Sequence, residues 1–309
     1  MQRYDTQVER HLRIVPMQFL PSRAKSRNRC PLCDGAAGPF RQVEGVDFLE
    51  CRSCDFIFAD PVVLAQTDAG TALRDYNSGY WAEEMKAARQ RSTGISLARV
   101  AEAVLYCRIP VRRFVDIGTG PGFLLDALDA YLPSHSDKFH GVEKFPPDVQ
   151  FRSSHPNYIE GDLADCNMRF DCGVCIEVLE HLTPNMAREL AEALAKASVP
   201  GSLYLFNTGL TEYVRKEDPG YLDPHRRGHI TCWSVPAARR IFEPCGFTVS
   251  ALRGKTWAFV IEFCAGASSP GIPMVDRIWK PVPENRALLT DPVMGEVIYL
   301  LGMETARAY

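Results

Sequence analysis

The sequence predicts an α/β fold: a mainly parallel sheet with one antiparallel strand and helices on both faces, preceded by a small cysteine-bearing ribbon. Three observations predict it. From Arg113 onward short apolar strands alternate with helical stretches, the pattern of crossover connections in a parallel sheet. Late in that region two strand-like segments flank Arg253-Gly254-Lys255, a hairpin that would place an antiparallel strand in the sheet. Ahead of it, residues 30–60 hold two C-x-x-C pairs among Gly, Pro and Asp, with short β-like pieces between them.

Along the chain, residues 1–29 read as a polar arm, basic toward its end (Arg23, Lys25, Arg27, Arg29) and solvated. Residues 30–60 are the ribbon and 61–112 a connector with helical periodicity over 82–106. The connector contains Asp75-Tyr76-Asn77-Ser78-Gly79-Tyr80-Trp81, which suits either a lid or a helix-packing anchor. Residues 113–265 form the main domain, with strands at 114–117, 139–142, 157–159, 171–178, 202–206, 247–252 and 256–263. Helices are expected at 123–132 and 185–197. Residues 266–309 are a Pro-rich extension, helical from 292 to 306.

The chain has 309 residues, 46% hydrophobic and 24% charged, enough for one large domain and a smaller one. Its net charge of −3 supplies no global positive field, which disfavours nucleic acid and anionic lipid as partners. No apolar run reaches the roughly 18 residues of a membrane span, and the first residues lack a signal-peptide core, so a cytoplasmic location is expected. Eleven cysteines, an odd number in a chain of this length, do not suit a secreted disulfide framework.

Four of the cysteines have a better use. Cys30-Pro31-Leu32-Cys33 and Cys51-Arg52-Ser53-Cys54 are two C-x-x-C pairs seventeen residues apart, the spacing of a four-thiolate zinc ribbon. Such a site is closed, so the expected Zn2+ is structural, and its loss should loosen residues 30–60 while the remainder stays folded. Cys172 and Cys175 share the spacing but lie in a buried strand, where an odd offset puts them on opposite faces.

The strand at 114–117 runs into Gly118-Thr119-Gly120-Pro121-Gly122 and then a helix. Glycines let backbone amides approach a ligand, and the helix N-terminus adds unpaired N–H groups. The spacing is G-x-G-x-G, not the G-x-G-x-x-G of dinucleotide folds. Asp116 precedes the loop, where a carboxylate suits a cationic ligand. Glu143, Asp162 and Glu177 follow at the ends of the next three strands.

This series resembles the class I, Rossmann-like S-adenosylmethionine-dependent methyltransferases over residues 113–263. The resemblance implies that Asp116, with Gly118, Thr119, Gly120 and Gly122, holds the methionine end of S-adenosylmethionine. Glu143 would accept the ribose hydroxyls, and Asp162 with the Leu163 amide would read the adenine. The run Cys175-Ile176-Glu177-Val178-Leu179-Glu180-His181-Leu182 is similar to a segment of ubiquinone-biosynthesis O-methyltransferases and many sugar methyltransferases, and would flank the sulfonium. A zinc ribbon ahead of such a domain resembles bacterial polysaccharide and secondary-metabolite methyltransferases. Nucleotide-sugar C-methyltransferases also carry a zinc module, but their larger C-terminal domain has no counterpart after Phe263, which favours an O- or N-acceptor.

Methyl transfer to a hydroxyl needs alignment, exclusion of water and a base. His181, His225 and His229 are the candidates, with Arg226 and Arg227 as clamps for a phosphate-bearing acceptor. The expected function is O-methylation of a small molecule or sugar. The alternatives are an RNA or protein methyltransferase gripping its substrate through the ribbon, and a non-catalytic cofactor-binding scaffold.

Overall fold

Cysteine, glycine and β-branched or aromatic residues near the N-terminus build three strands of a small sheet. β1 (Ala37–Val43) turns through Glu44 and Gly45, both at positive φ, into β2 (Val46–Cys51), which pairs antiparallel with β3 (Ile57–Ala59). The computed structural model describes residues 28–71, 73–74, 78–264, 273–292 and 295–307. Most of the basic arm, and Asp75, Tyr76 and Asn77, lie outside them.

Three helices follow, α1 (Pro61–Asp68), α2 (Ser78–Arg91) and α3 (Leu97–Tyr106), the last two joined by a π turn over Ser92–Ser96. The main domain then alternates β4 (Phe114–Ile117), α4 (Phe123–Tyr131), β5 (Phe139–Glu143), β6 (Tyr158–Glu160), β7 (Phe170–Ile176), α5 (Pro184–Lys196) and β8 (Ser198–Asn207). After β8 come α6 (Thr211–Lys216), β9 (Thr231–Cys232), α7 (Val235–Phe242), β10 (Phe247–Ala251) and β11 (Ala258–Phe263). The chain continues through α8 (Met274–Arg277), α9 (Pro283–Leu289) and α10 (Gly295–Arg307).

The large sheet has the order β10-β11-β8-β7-β4-β5-β6. β4 runs parallel to β5 and β7, and β11 is antiparallel to both β8 and β10. The expected mainly parallel sheet with a single antiparallel strand is therefore present. Strand order reverses at β4, and in sheets of this kind the crevice that takes a ligand lies beyond the strand carboxyl ends at such a switch point. One face of the sheet packs Ala187, Ala191, Leu194, Ile241 and Phe242 of α5 and α7. The other packs α3, α4 and α10 through residues such as Val104, Leu125 and Ile298. Cys175 belongs to the first core and Cys172 to the second, as their offset requires.

Two features depart from the sequence expectation. The connection between β10 and β11 is longer than Arg253-Gly254-Lys255, because Lys255 turns inward to the Glu102 carboxylate and to Thr305 O at 2.6 Å. The ribbon, moreover, is not a separate unit. β9, from the main domain, is the fourth strand of its sheet, pairing Ile57 with Cys232 and Phe58 with Thr231. Phe56 packs on Trp233 with ring centroids 4.8 Å apart, Thr211 Oγ1 donates to Asp55 at 2.6 Å, and Arg215 pairs with Glu50 and Asp55. Apolar residues of ribbon and main domain form one continuous core.

Candidate functional site

At the end of β4 the chain adopts backbone that only glycine takes without strain. Gly118 has φ +71° and Gly122 φ +77°, and a Cβ on Gly118 would lie 2.5 Å from Val178 Cγ2. The glycine loop thereby sits against the segment that follows β7. The buried Asp116 carboxylate accepts a hydrogen bond from Thr119 Oγ1 at 2.7 Å. Burial pushes its pKa up to about 7, helped by the Glu143 charge and opposed by the Thr119 bond.

Glu143, at the end of β5, accepts Gly120 N at 2.7 Å and Phe145 N at 2.9 Å. Burial raises its pKa, and those amides hold the rise back. Tyr158 OH donates to Gly120 O at 2.8 Å, so the middle of the loop is held from both sides. Asp162, after β6, caps the short turn that begins at the buried Leu163, accepting Ala164 N at 2.9 Å. Against its partial desolvation, that amide and Lys144, 2.6 Å away, keep its carboxyl below the ordinary value. The Trp81 indole lies across the loop, 3.6 Å from where a Gly120 Cβ would be. Its buried Nε1 has no hydrogen-bond partner among the described residues.

A second polar group gathers at the ends of β7 and β8. Glu177 has φ +54°, a left-handed conformation rare for glutamate, and accepts Asn207 Nδ2 at 2.8 Å. Asn207 Oδ1 in turn accepts Arg99 Nε at 2.8 Å. Glu180 is fully buried and accepts Tyr221 OH at 2.8 Å through Oε1. The His181 and His229 rings meet at 4.9 Å between centroids. Their Nδ1 atoms are hydrogen-bonded to Gly228 O at 3.1 Å and Tyr221 O at 2.6 Å. Burial, then the neighbouring His181, lowers the His229 pKa to about 3, so that ring is neutral.

The structure brings His181 and His229 together and leaves His225 exposed outside the cluster. Arg226 pairs with Asp223 at 3.1 Å and Arg227 lies 3.7 Å from Asp218, so both proposed anion clamps already have acidic neighbours. Sequence reasoning missed Asn207, Tyr221, Tyr158 and Arg99. Asn207 carried a signal, an amide ending an otherwise apolar strand.

The four ribbon cysteines converge as well. Their sulfurs lie 3.5 Å apart for Cys33–Cys51 and Cys33–Cys54, and 3.7 Å for Cys30–Cys54. A tetrahedral ion bound at about 2.3 Å needs sulfurs about 3.8 Å apart, whereas a disulfide needs about 2.05 Å. Each C-x-x-C is followed by an aspartate at φ +57°, Asp34 and Asp55. Leu32 N and Ser53 N donate to Cys30 Sγ and Cys51 Sγ at 3.4 and 3.3 Å. The group can hold a metal.

A family model described as a methyltransferase domain matches residues 86–252. No curated protein matches the sequence. Among solved structures, the chain is similar to human N-acetylserotonin methyltransferase in complex with SAM, at 16% identity and TM-score 0.45. That match covers 60% of this chain and 56% of the human one, little more than half its length. It is also similar to a SAM-bound amino pentose methyltransferase from Micromonospora echinaspora involved in calicheamicin biosynthesis. There the identity is 16% and the TM-score 0.44, over 61% of this chain and 98% of the other. Among the described residues no helix is long and apolar enough to cross a membrane.

Proposed function

This chain belongs to the methyltransferase-domain family, and from that we propose that it transfers a methyl group from S-adenosylmethionine to a hydroxyl of a small molecule or sugar. The observation that carries the reading is the set of carboxylates Asp116, Glu143 and Asp162 at the ends of three adjacent strands around one glycine loop. The residues fit the cofactor. Asp116 is buried with one hydroxyl partner and suits the cationic methionine end. The oxygens of Glu143 each accept one amide and retain lone pairs for ribose hydroxyls. The orphaned Trp81 Nε1 beside the loop supports a further polar partner there.

Bound S-adenosylmethionine supplies a methyl group already activated on a sulfonium. The chain's work is then to orient the acceptor, exclude water and receive a proton. Gly118, Thr119, Gly120 and Gly122 would shape the methionine end, and Asp162 with Leu163 the adenine end. Glu177, tied to Asn207, would border the methyl group. The acceptor proton would leave toward the cluster of Glu180, His181 and His229, with the exposed His225 outside that path.

The four thiolates would hold a structural Zn2+. The continuity of the ribbon with the main core favours that role over a substrate-gripping arm. Calorimetry with S-adenosylmethionine tests the cradle, and methyl transfer to a panel of hydroxylated acceptors, sugars and RNA tests the substrate class. Binding without transfer to any acceptor would favour a scaffold.

A further inference from the structure

We propose that Glu180, His181 and His229 form a binding site for one first-row divalent transition-metal ion at the acceptor side of the crevice. Each offers one ligand atom, and these atoms lie within 4.8 Å of one another. Ligands at about 2.0–2.2 Å from an ion stand about 3–4 Å apart, so small side-chain rotations close the site. Both rings have Nδ1 on a backbone carbonyl, Gly228 O and Tyr221 O. That is how ligating histidines are oriented, since an imidazole donating from Nδ1 presents Nε2 as a ligand atom. His229 Nε2 is 3.9 Å from Glu180 Oε1.

The second observation is Glu180 itself. It is 0% exposed, and its Oε2 accepts no hydrogen bond among the described residues. Tyr221 OH serves Oε1 at 2.8 Å and reaches Glu177 Oε2 only at 3.4 Å, so one hydroxyl is shared between two enclosed carboxylates. A buried carboxylate oxygen without a donor is costly, and a cation is the partner such a group takes. Two imidazole nitrogens and one carboxylate oxygen suit Mn2+, Fe2+, Co2+ or Zn2+ rather than the all-oxygen cages of Ca2+ or Mg2+. Three protein ligands leave coordination positions open, where an acceptor oxygen would be polarised; with both imidazoles ligating, its proton would pass to the neighbouring Glu177 carboxylate of the same cluster. Only this catalytic meaning rests on the methyltransferase reading.

The test is titration of the full chain, with its ribbon zinc in place, with Mn2+, following free ion by electron paramagnetic resonance. The wild type is expected to bind a single equivalent and to show paramagnetic broadening of the His181 and His229 ring resonances. Glu180→Gln and His229→Ala, with folding checked by circular dichroism, should lose about tenfold or more in affinity. Absence of Mn2+ binding in the wild type, broadening confined to other histidines, or wild-type affinity in both folded variants would overturn the proposal. Calorimetry with S-adenosylmethionine on the same samples separates the two readings. A chain that binds the cofactor but no Mn2+ loses the ion site alone. One that binds Mn2+ but no cofactor keeps the ion site and loses the cofactor cradle.

Discussion

The backbone amide of Gly120 donates to Glu143 Oε2 across 2.7 Å, so the centre of the glycine loop is held by the carboxylate at the end of the neighbouring strand. Glu143 is therefore both a proposed ligand for ribose and a brace for the loop. Glu143→Ala should weaken S-adenosylmethionine binding by about 1–3 kcal/mol, the loss of a buried polar partner, or roughly 5- to 150-fold in Kd. Glu143→Gln keeps one acceptor oxygen and should lose less. Calorimetry on both variants checks this, and unchanged affinity in both would remove Glu143 from the cofactor site.

Asp116 makes the site pH-dependent in a definite direction. Burial raises its folded pKa to about 7 from an ordinary 3.8, so the folded chain binds this proton more tightly than the unfolded one. The stability it contributes is fully present below about pH 4 and is lost as pH rises through about 7. Asp116→Asn cannot ionise, so thermal unfolding should find it gaining on the wild type between about pH 4 and 7. A cationic ligand prefers the carboxylate, so S-adenosylmethionine should bind the wild type more tightly as pH rises through about 7. In Asp116→Asn that slope should vanish; an identical slope in both proteins would contradict the assignment.

Cys30→Ser tests both the zinc and the join between ribbon and main domain. Metal analysis should find the zinc lost. Because β9 completes the ribbon sheet and the core is shared, stability should fall by more than about 4 kcal/mol, as for removal of a structural metal. Hydrogen exchange should show α7 and β9 loosened together with residues 37–59. Loosening confined to the ribbon would mean that it folds independently after all.

Much of this was legible in the sequence because the signals were local. The strand, glycine loop and helix at 114–131, and the two C-x-x-C pairs, each lie within a few residues whose types leave few alternatives. Contacts between distant segments were not legible. Thr231 and Cys232 are too short a run to read as a strand, and only pairing with Ile57 and Phe58 makes them one. Arg99 and Glu102 look like the solvated face of a helix, yet every residue of α3 is buried once α10 packs over it. Glu177 gave no hint of its left-handed backbone, which the packing of Val178 on Gly118 accompanies.

The buried charges of α3 carry the last prediction. Glu102 Oε2 accepts Arg99 NH1 at 3.1 Å, while Oε1 accepts Tyr106 OH at 2.9 Å and the Lys255 ammonium. Lys255 also holds Thr305 O of α10, and Arg99, stacked 3.6 Å over the Trp257 ring, reaches on to Asn207. One carboxylate thus satisfies two cations that have little access to water. Removing it strands both, so Glu102→Ala should cost about 3–5 kcal/mol, the range for breaking a buried pair from one side. The exposed pair of Lys216 with Glu212 offers the contrast: Glu212→Ala should stay within about 0.5 kcal/mol of the wild type. Denaturant unfolding of the two variants measures the difference. Equal losses would show that Glu102 adds no more to the fold than a surface charge, and that α10 is held by its apolar face alone.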